Sequence, residues 1–292
     1  MKQKQTSGTG GWFGGIFAWV FSLLLTLLTV MGVIFFTISN ENYLKSQILS
    51  SGYAESILEN LQENFTSYGN AGGMPAEVMT SFLTQEKVQQ DLFRSVERFY
   101  QGQRSVESHP EIAQMAQQAM LESVQERGLE LTGQVEEAIA YMAEICQTDY
   151  QKNMRFTFAS WIAAYMPKIV KLAQMGAGAV LVITLIAFAL LMAVLRNGPA
   201  RLRWLINACG ATALVSVILP VLFRIFVPME DLVLSPVALK TLLVKYTHGM
   251  TDAFFYFALI YLVVAGALYL VWNKGFQKSR QMYQNRQEQE FV

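Results

Sequence analysis

Few side chains in this sequence could do chemistry, and the most conspicuous is Arg224. It lies inside a long apolar run, just after Pro220 and about one turn from the run's end, while Asp252 opens the next run. A charge at membrane depth seeks a partner or a polar cavity. Arg224 and Asp252 fall at similar depth, which allows two readings. Either they pair and join the two runs, or Arg224 snorkels to headgroups and Asp252 caps a helix. A second basic feature is RNGPARLR, which gathers Arg196, Arg201 and Arg203 between two apolar runs. The other candidates are sparse. Cys146 and Cys209 are far apart and form no CxxC, and Cys146 reads as a buried thiol on a helical face. His109 and His248 belong to no HExxH motif, so no metal site is expected. GTGGWFGG follows no strand and is no phosphate loop, and GxSxG and SxxK patterns are absent. The expectation is a protein without catalytic, cofactor-binding or metal-ligating residues, hence not an enzyme.

The elements that must carry these residues are set by composition. The chain has 292 residues, with 22 Lys+Arg against 22 Asp+Glu, 15% charged and 53% apolar. Soluble domains carry about 25% charged residues. These totals argue against a disordered chain, a disulfide scaffold and a nucleic-acid binder. The deficit sits in four continuously apolar runs, 12–38, 172–195, 204–227 and 253–272. A bilayer core of ~30 Å takes about 20 helical residues, and runs without alternation favour helices over barrel strands. The first run is longer than a signal-peptide core and lacks an A-x-A site, so it is expected to stay as a signal anchor.

Orientation follows the basic residues. Lys2 and Lys4, then Arg196, Arg201 and Arg203, then Lys274, Lys278, Arg280 and Arg286 mark segments 1–11, 196–203 and 273–292 as cytoplasmic. Lys168 and Lys171 oppose this mildly. The loop 228–251 is then extracytoplasmic. Trp12, Trp204 and Trp272 fall at inner boundaries and Trp161 near the outer one, as an aromatic belt requires.

Residues 39–168 make an acidic extracytoplasmic segment, with 17 Asp+Glu against 9 Lys+Arg, a net charge of −8. Its apolar spacing is helical. Leu44, Ile48, Ile57, Leu61 and Phe65 share one face, and Val88, Leu92, Val96, Phe99 and Tyr100 a second. Ile112, Met115, Ala116 and Ala119 begin a third, which Ala138, Ile139, Met142, Ile145 and Cys146 continue or replace with a fourth. Pro75 suits a first helical position, Thr84 caps the second face, and Ser108 or His109 caps a helix entered at Pro110. The segment 154–167 is expected to extend span 2 outward rather than lie along the bilayer. Gly176, Gly178, Ala208, Gly210, Ala265 and Gly266 are expected at close helix contacts. The fold class is therefore an all-α integral membrane protein, with four transmembrane helices and an extracytoplasmic helical bundle inserted between helices 1 and 2.

Function is then expected to be non-enzymatic. The protein would sit in a plasma membrane with both termini cytoplasmic, touch the lipid bilayer, and bind a protein partner through the acidic domain or the spans, coupling that event across the membrane. A homo-oligomer would fit the same small residues. The topology alone resembles that of FtsX-type permease-like proteins, with both termini inside, a large outside domain after span 1 and a small outside loop between spans 3 and 4. That resemblance implies the alternative, a membrane subunit of a transport complex.

Overall fold

A computed structural model describes residues 9–103, 107–155, 160–194, 198–231 and 237–290. Among them every regular element is a helix. In chain order these are α1 (Thr9–Phe36), α2 (Glu41–Ser50), α3 (Tyr53–Gly72), α4 (Ala76–Thr80), α5 (Gln85–Tyr100) and α6 (Pro110–Glu126). Then follow α7 (Gly133–Met154), α8 (Ser160–Ala163), α9 (Met166–Val194), α10 (Gly198–Phe226), a 3₁₀ turn (Met229–Asp231) and α11 (Val237–Glu290). Four stretches are long and apolar enough to cross a membrane: Gly14–Phe36, Met166–Ala193, Arg201–Asp231 and Val237–Gly275. The chain divides into two compact units, one of residues 1–39, 172–229 and 247–292, the other of residues 40–171 and 230–246.

The second unit is a helical bundle with its own core. Leu61 and Phe65 of α3, Val88 and Leu92 of α5, Ile112 and Met120 of α6, and Cys146 and Tyr150 of α7 are wholly buried in one cluster. Each large apolar side chain taken from water contributes about 1.5–3 kcal/mol. Side-chain oxygens start the helices: Asn40 accepts from the Asn42 N–H, Thr84 from Lys87 and Thr132 from Val135. Such caps satisfy N–H groups that the first turn leaves open. His109 stands before Pro110 without a side-chain cap bond, and Pro75 precedes α4 rather than opening it.

The expected first face is two helices, because Gly52 takes φ 69° between α2 and α3. Only glycine enters that region at little cost. The third face is also two helices, with residues 127–132 between them. Two further expectations need correction. Residues 154–167 do not simply prolong span 2: α7 ends at Met154, Arg155 is extended, α8 is a single turn and α9 starts at Met166. Pro167 at the second position explains the restart, since a proline ring inside a helix clashes with the carbonyl four residues back. Residues 156–159 lie outside the described residues. The loop expected over 228–251 is helical from Val237 onward. Ala238 and Leu242, one turn apart, are buried in the bundle core with Leu239 packed beside them. This apolar spacing was present in VALKTLLVKY.

The first unit is built on α1 lying along α10. Phe21 and Leu25 of α1 meet Leu205, Ala208 and Cys209 of α10, with Leu191 and Ala265 from α9 and α11. Polar side chains inside are spent on the backbone and on each other. Thr212 Oγ1 donates to the carbonyls of Ala208 (2.9 Å) and Ser22 (3.2 Å), and Thr29 Oγ1 lies 3.0 Å from the Tyr261 hydroxyl. Thr184 bonds back to Val180. Ser216 Oγ, like Ser39 Oγ at the end of this unit's first segment, is buried with no hydrogen-bond partner among the described residues. Ser216 lies four positions before Pro220, where the helical N–H that would meet the Ser216 carbonyl is missing.

The small residues behave unevenly. Ala208 and Ala265 are buried at helix contacts, and a Cβ added at Gly176 would lie 3.6 Å from the Met31 sulfur, an ordinary contact. Gly178, Gly210 and Gly266 face open space. The close approach is at Gly32, where an added Cβ would lie 3.0 Å from the Phe257 ring. Outward faces of this unit carry large apolar groups, with Leu172, Ile225 and Val263 more than half exposed. So large an exposed apolar surface accompanies the four helices that are long and apolar enough to cross a membrane.

Candidate functional site

Two polar assemblies stand out, one in each unit. In the first unit, Arg224 sits in the last turn of α10. Its Nε donates to Thr251 Oγ1 at 2.8 Å and its Nη2 to the same oxygen at 2.5 Å. Nη2 also reaches the His248 carbonyl at 3.3 Å and Asp252 Oδ1 at 2.6 Å. The guanidinium carbon lies 5.7 Å from the Phe255 ring centre. Thr251 is buried, whereas the Asp252 side chain is 52% exposed. The guanidinium thus bridges α10 to α11 through a buried hydroxyl first and an exposed carboxylate second. Its fork suits several acceptors at once. The arrangement holds α10 and α11 together through side-chain bonds.

The sequence-expected basic cluster is only partly in view. Arg196 lies outside the described residues. Arg201 and Arg203 stand on the first turns of α10, Arg201 half-buried and Arg203 exposed.

The second assembly lies in the bundle, and sequence reasoning missed it. Asp91 of α5 is 1% exposed and central. Tyr150 of α7 donates its hydroxyl to Asp91 Oδ2 at 2.7 Å. Lys87 Nζ lies 3.3 Å from the same oxygen and 3.2 Å from Glu111 Oε1. His109 Nδ1 is 3.6 Å from Asp91 Oδ2 and 3.2 Å from Glu111 Oε1, and its ring meets Tyr150 edge to face at 5.2 Å. Arg94 Nη1 lies 3.4 Å from Asp91 Oδ1 and 3.7 Å from Glu107. His109 Nε2 is buried without a hydrogen-bond partner among the described residues. The network ties α5, the entrance of α6 and α7 into one body.

Its electrostatics have clear causes. Burial first, and then the Asp91 carboxylate, push the Tyr150 phenol well above its ordinary value, so it stays a donor. Burial works to raise Glu111, but bonds from its own backbone N–H, His109 and Lys87 hold it below the ordinary carboxylate value. Nearby, burial with a contribution from Asp149 pushes the Cys146 thiol up to about 12, which makes it a poor nucleophile at neutral pH. Cys146 and Cys209 are both free and buried.

Asp91, His109 and Glu111 are residue types that hold metals, and one ligand atom from each lies within 4.8 Å of the others. The Lys87 ammonium already stands against both carboxylates, in the seat a cation would take. The donor set therefore fits a protein-only ion network better than a metal centre. Sequence did carry a signal for it. Asp91 is three residues from Val88 and one from Leu92, on the flank of the apolar stripe of α5, and an acid placed there must find partners.

Compared with known protein families, curated proteins and solved structures, the chain matches none of them.

Proposed function

We propose that the protein is a non-enzymatic multi-pass protein of the plasma membrane, with both termini cytoplasmic and the acidic bundle of residues 40–171 outside. Its role is to engage a protein partner through that bundle and couple the event to its spans. The observation that carries this reading is the separation of chemistry between the two units. One has hydrocarbon on its outward faces, with its interior hydroxyls mostly bonded to backbone or to each other. The other has a complete apolar core under a surface of carboxylates. Proton carriers and pores rest on titrating groups at midplane or a polar lining. The ion network of the bundle has a cation for its anions, the pattern of a structural core. Coupling has a physical route, because α1 leads directly into the bundle at Ser39 and α9 returns from it at Lys171.

The topology is tested by protease shaving of intact cells together with a reporter fused after Tyr100. Cleavage in the bundle and a reporter active only outside the cytosol are expected. A protected bundle with a cytosolic reporter overturns the reading. Partner engagement is tested by photocrosslinkers placed at exposed bundle positions such as Glu63 and Tyr141 in living cells. A discrete protein adduct is expected, and its absence at all positions refutes partner binding through the bundle. Co-purification of a cytoplasmic ATPase in mild detergent, lost on altering Arg201 and Arg203, would favour the transport-complex subunit instead.

A further inference from the structure

The bundle surface carries a shallow, open groove of about 410 Å³ between α3 and α7. It is lined by Tyr68 from α3 and by Tyr141, Glu144, Ile145, Asp149 and Lys152 from α7. The α7 residues follow helical spacing from position 141 to 152, so the groove runs about 16 Å along the helix at ~1.5 Å rise per residue. Tyr141 is 68% exposed, an unusual position for a large aromatic ring. The two bordering helices carry Glu55, Glu59, Glu63, Glu136, Glu137, Glu144 and Asp149 against the single cation Lys152. Asp149 is fixed in place, accepting from Asn64 Nδ2 at 2.9 Å and from Asn153. Burial and the facing Asp149 carboxylate hold the Tyr68 phenol in its neutral form.

We propose that this Tyr68–Tyr141 groove is a docking site for a basic, extended segment of a partner protein, with Arg or Lys side chains over the tyrosine faces and against Glu144. Aromatic rings attract cations at their faces, and carboxylates beside them add charge complementarity and set the encounter rate. The length matches about five extended residues at ~3.3 Å each, longer than one lipid headgroup. Ile145 between the two charged positions supplies an apolar contact for the side chain between two cations. The proposal names the partner's chemistry and the place on the bundle, and so rests on the partner-binding role proposed above.

The test uses the full chain in phosphatidylcholine nanodiscs and a fluorescein-labelled Arg-Leu-Arg-Leu-Arg peptide, with a Glu-Leu-Glu-Leu-Glu peptide and empty discs alongside. The basic peptide is expected to bind the protein discs, the acidic one not. Tyr141→Ala is expected to weaken binding by about tenfold, the scale of an interface aromatic anchor. Glu144→Gln is expected to weaken it by about threefold and flatten its salt dependence. Glu122→Gln on α6, away from the groove, is expected to bind as the parent does. Equal binding by the parent, Tyr141→Ala and Glu144→Gln overturns the proposal, as does equal binding of the two peptides or binding no tighter than to empty discs. The cellular adduct separates this from the broader role: an adduct retained in the Tyr141→Ala and Glu144→Gln proteins sinks the groove while partner binding stands.

Discussion

Asp91 shows how much a single side chain can organise. It is buried, and its compensation comes from Tyr150, Lys87, Arg94 and His109 on three segments of the bundle. Removing the carboxylate leaves Lys87 and Tyr150 facing a void. Asp91→Ala should therefore cost about 3–5 kcal/mol, the scale for breaking a buried ion pair from one side. Tyr150→Phe removes one hydrogen bond to a charged acceptor and should cost about 1.5–3 kcal/mol. Denaturant unfolding of the full chain in nanodiscs, followed by bundle tryptic susceptibility, ranks the two. Equal stability of both variants and the parent would contradict the network. Glu111 adds a pH dependence. Its folded pKa lies below the ordinary 4.5 of a free glutamate, so its stabilisation is complete above 4.5 and is lost as pH falls through the lower folded value. The stability gap between the parent and Glu111→Gln, followed by denaturant unfolding, should close as pH falls through that acidic window, and a gap unchanged down to full protonation would contradict this role for Glu111.

At the scale of elements, α10 and α11 are joined by Arg224, and the order of its contacts matters. Thr251 is 1% exposed and accepts both guanidinium bonds. Asp252 is half exposed, and such pairs contribute about 0–1 kcal/mol. Thr251→Val should thus free Arg224 more than Asp252→Ala does. Phenylglyoxal labelling of Arg224 in nanodiscs reads this out, with faster modification expected in Thr251→Val than in Asp252→Ala. The reverse order would make the carboxylate the main anchor. The bond that Pro220 removes nearby leaves the end of α10 more dependent on this side-chain bridge.

For the whole molecule, the bundle is not one continuous stretch of chain. Residues 230–246 belong to it, placing Ala238 and Leu242 in its core. The Tyr43 hydroxyl donates to the Tyr246 carbonyl at 3.1 Å, and Lys245 donates to the Ser50 carbonyl. A fragment of residues 40–171 should consequently be less stable than the same fragment with 230–246 joined by a flexible linker. Leucine burial alone is worth about 1.5–3 kcal/mol, so a shift of several degrees in Tm is expected by circular dichroism. Identical melting of the two would exclude residues 230–246 from the core.

The sequence by itself determined the all-helical character, the four long apolar helices and the starts of α5 and α6, because these depend on local matters: hydrophobic period, run length, an entering proline and capping side chains such as Thr84. It placed Arg224 and Asp252 at similar depth but could not choose between pairing and separate roles, since that turns on the angular position of two helices about their axes. The apolar spacing of Val237–Tyr246 and the acid on the flank of the α5 stripe were local signals, but neither said that 237–246 would close the bundle or that Asp91, His109, Glu111 and Tyr150 would converge from 60 residues of chain. Those are long-range choices. Each requires a buried group to find partners distant in sequence, and only tertiary packing decides which ones come within reach.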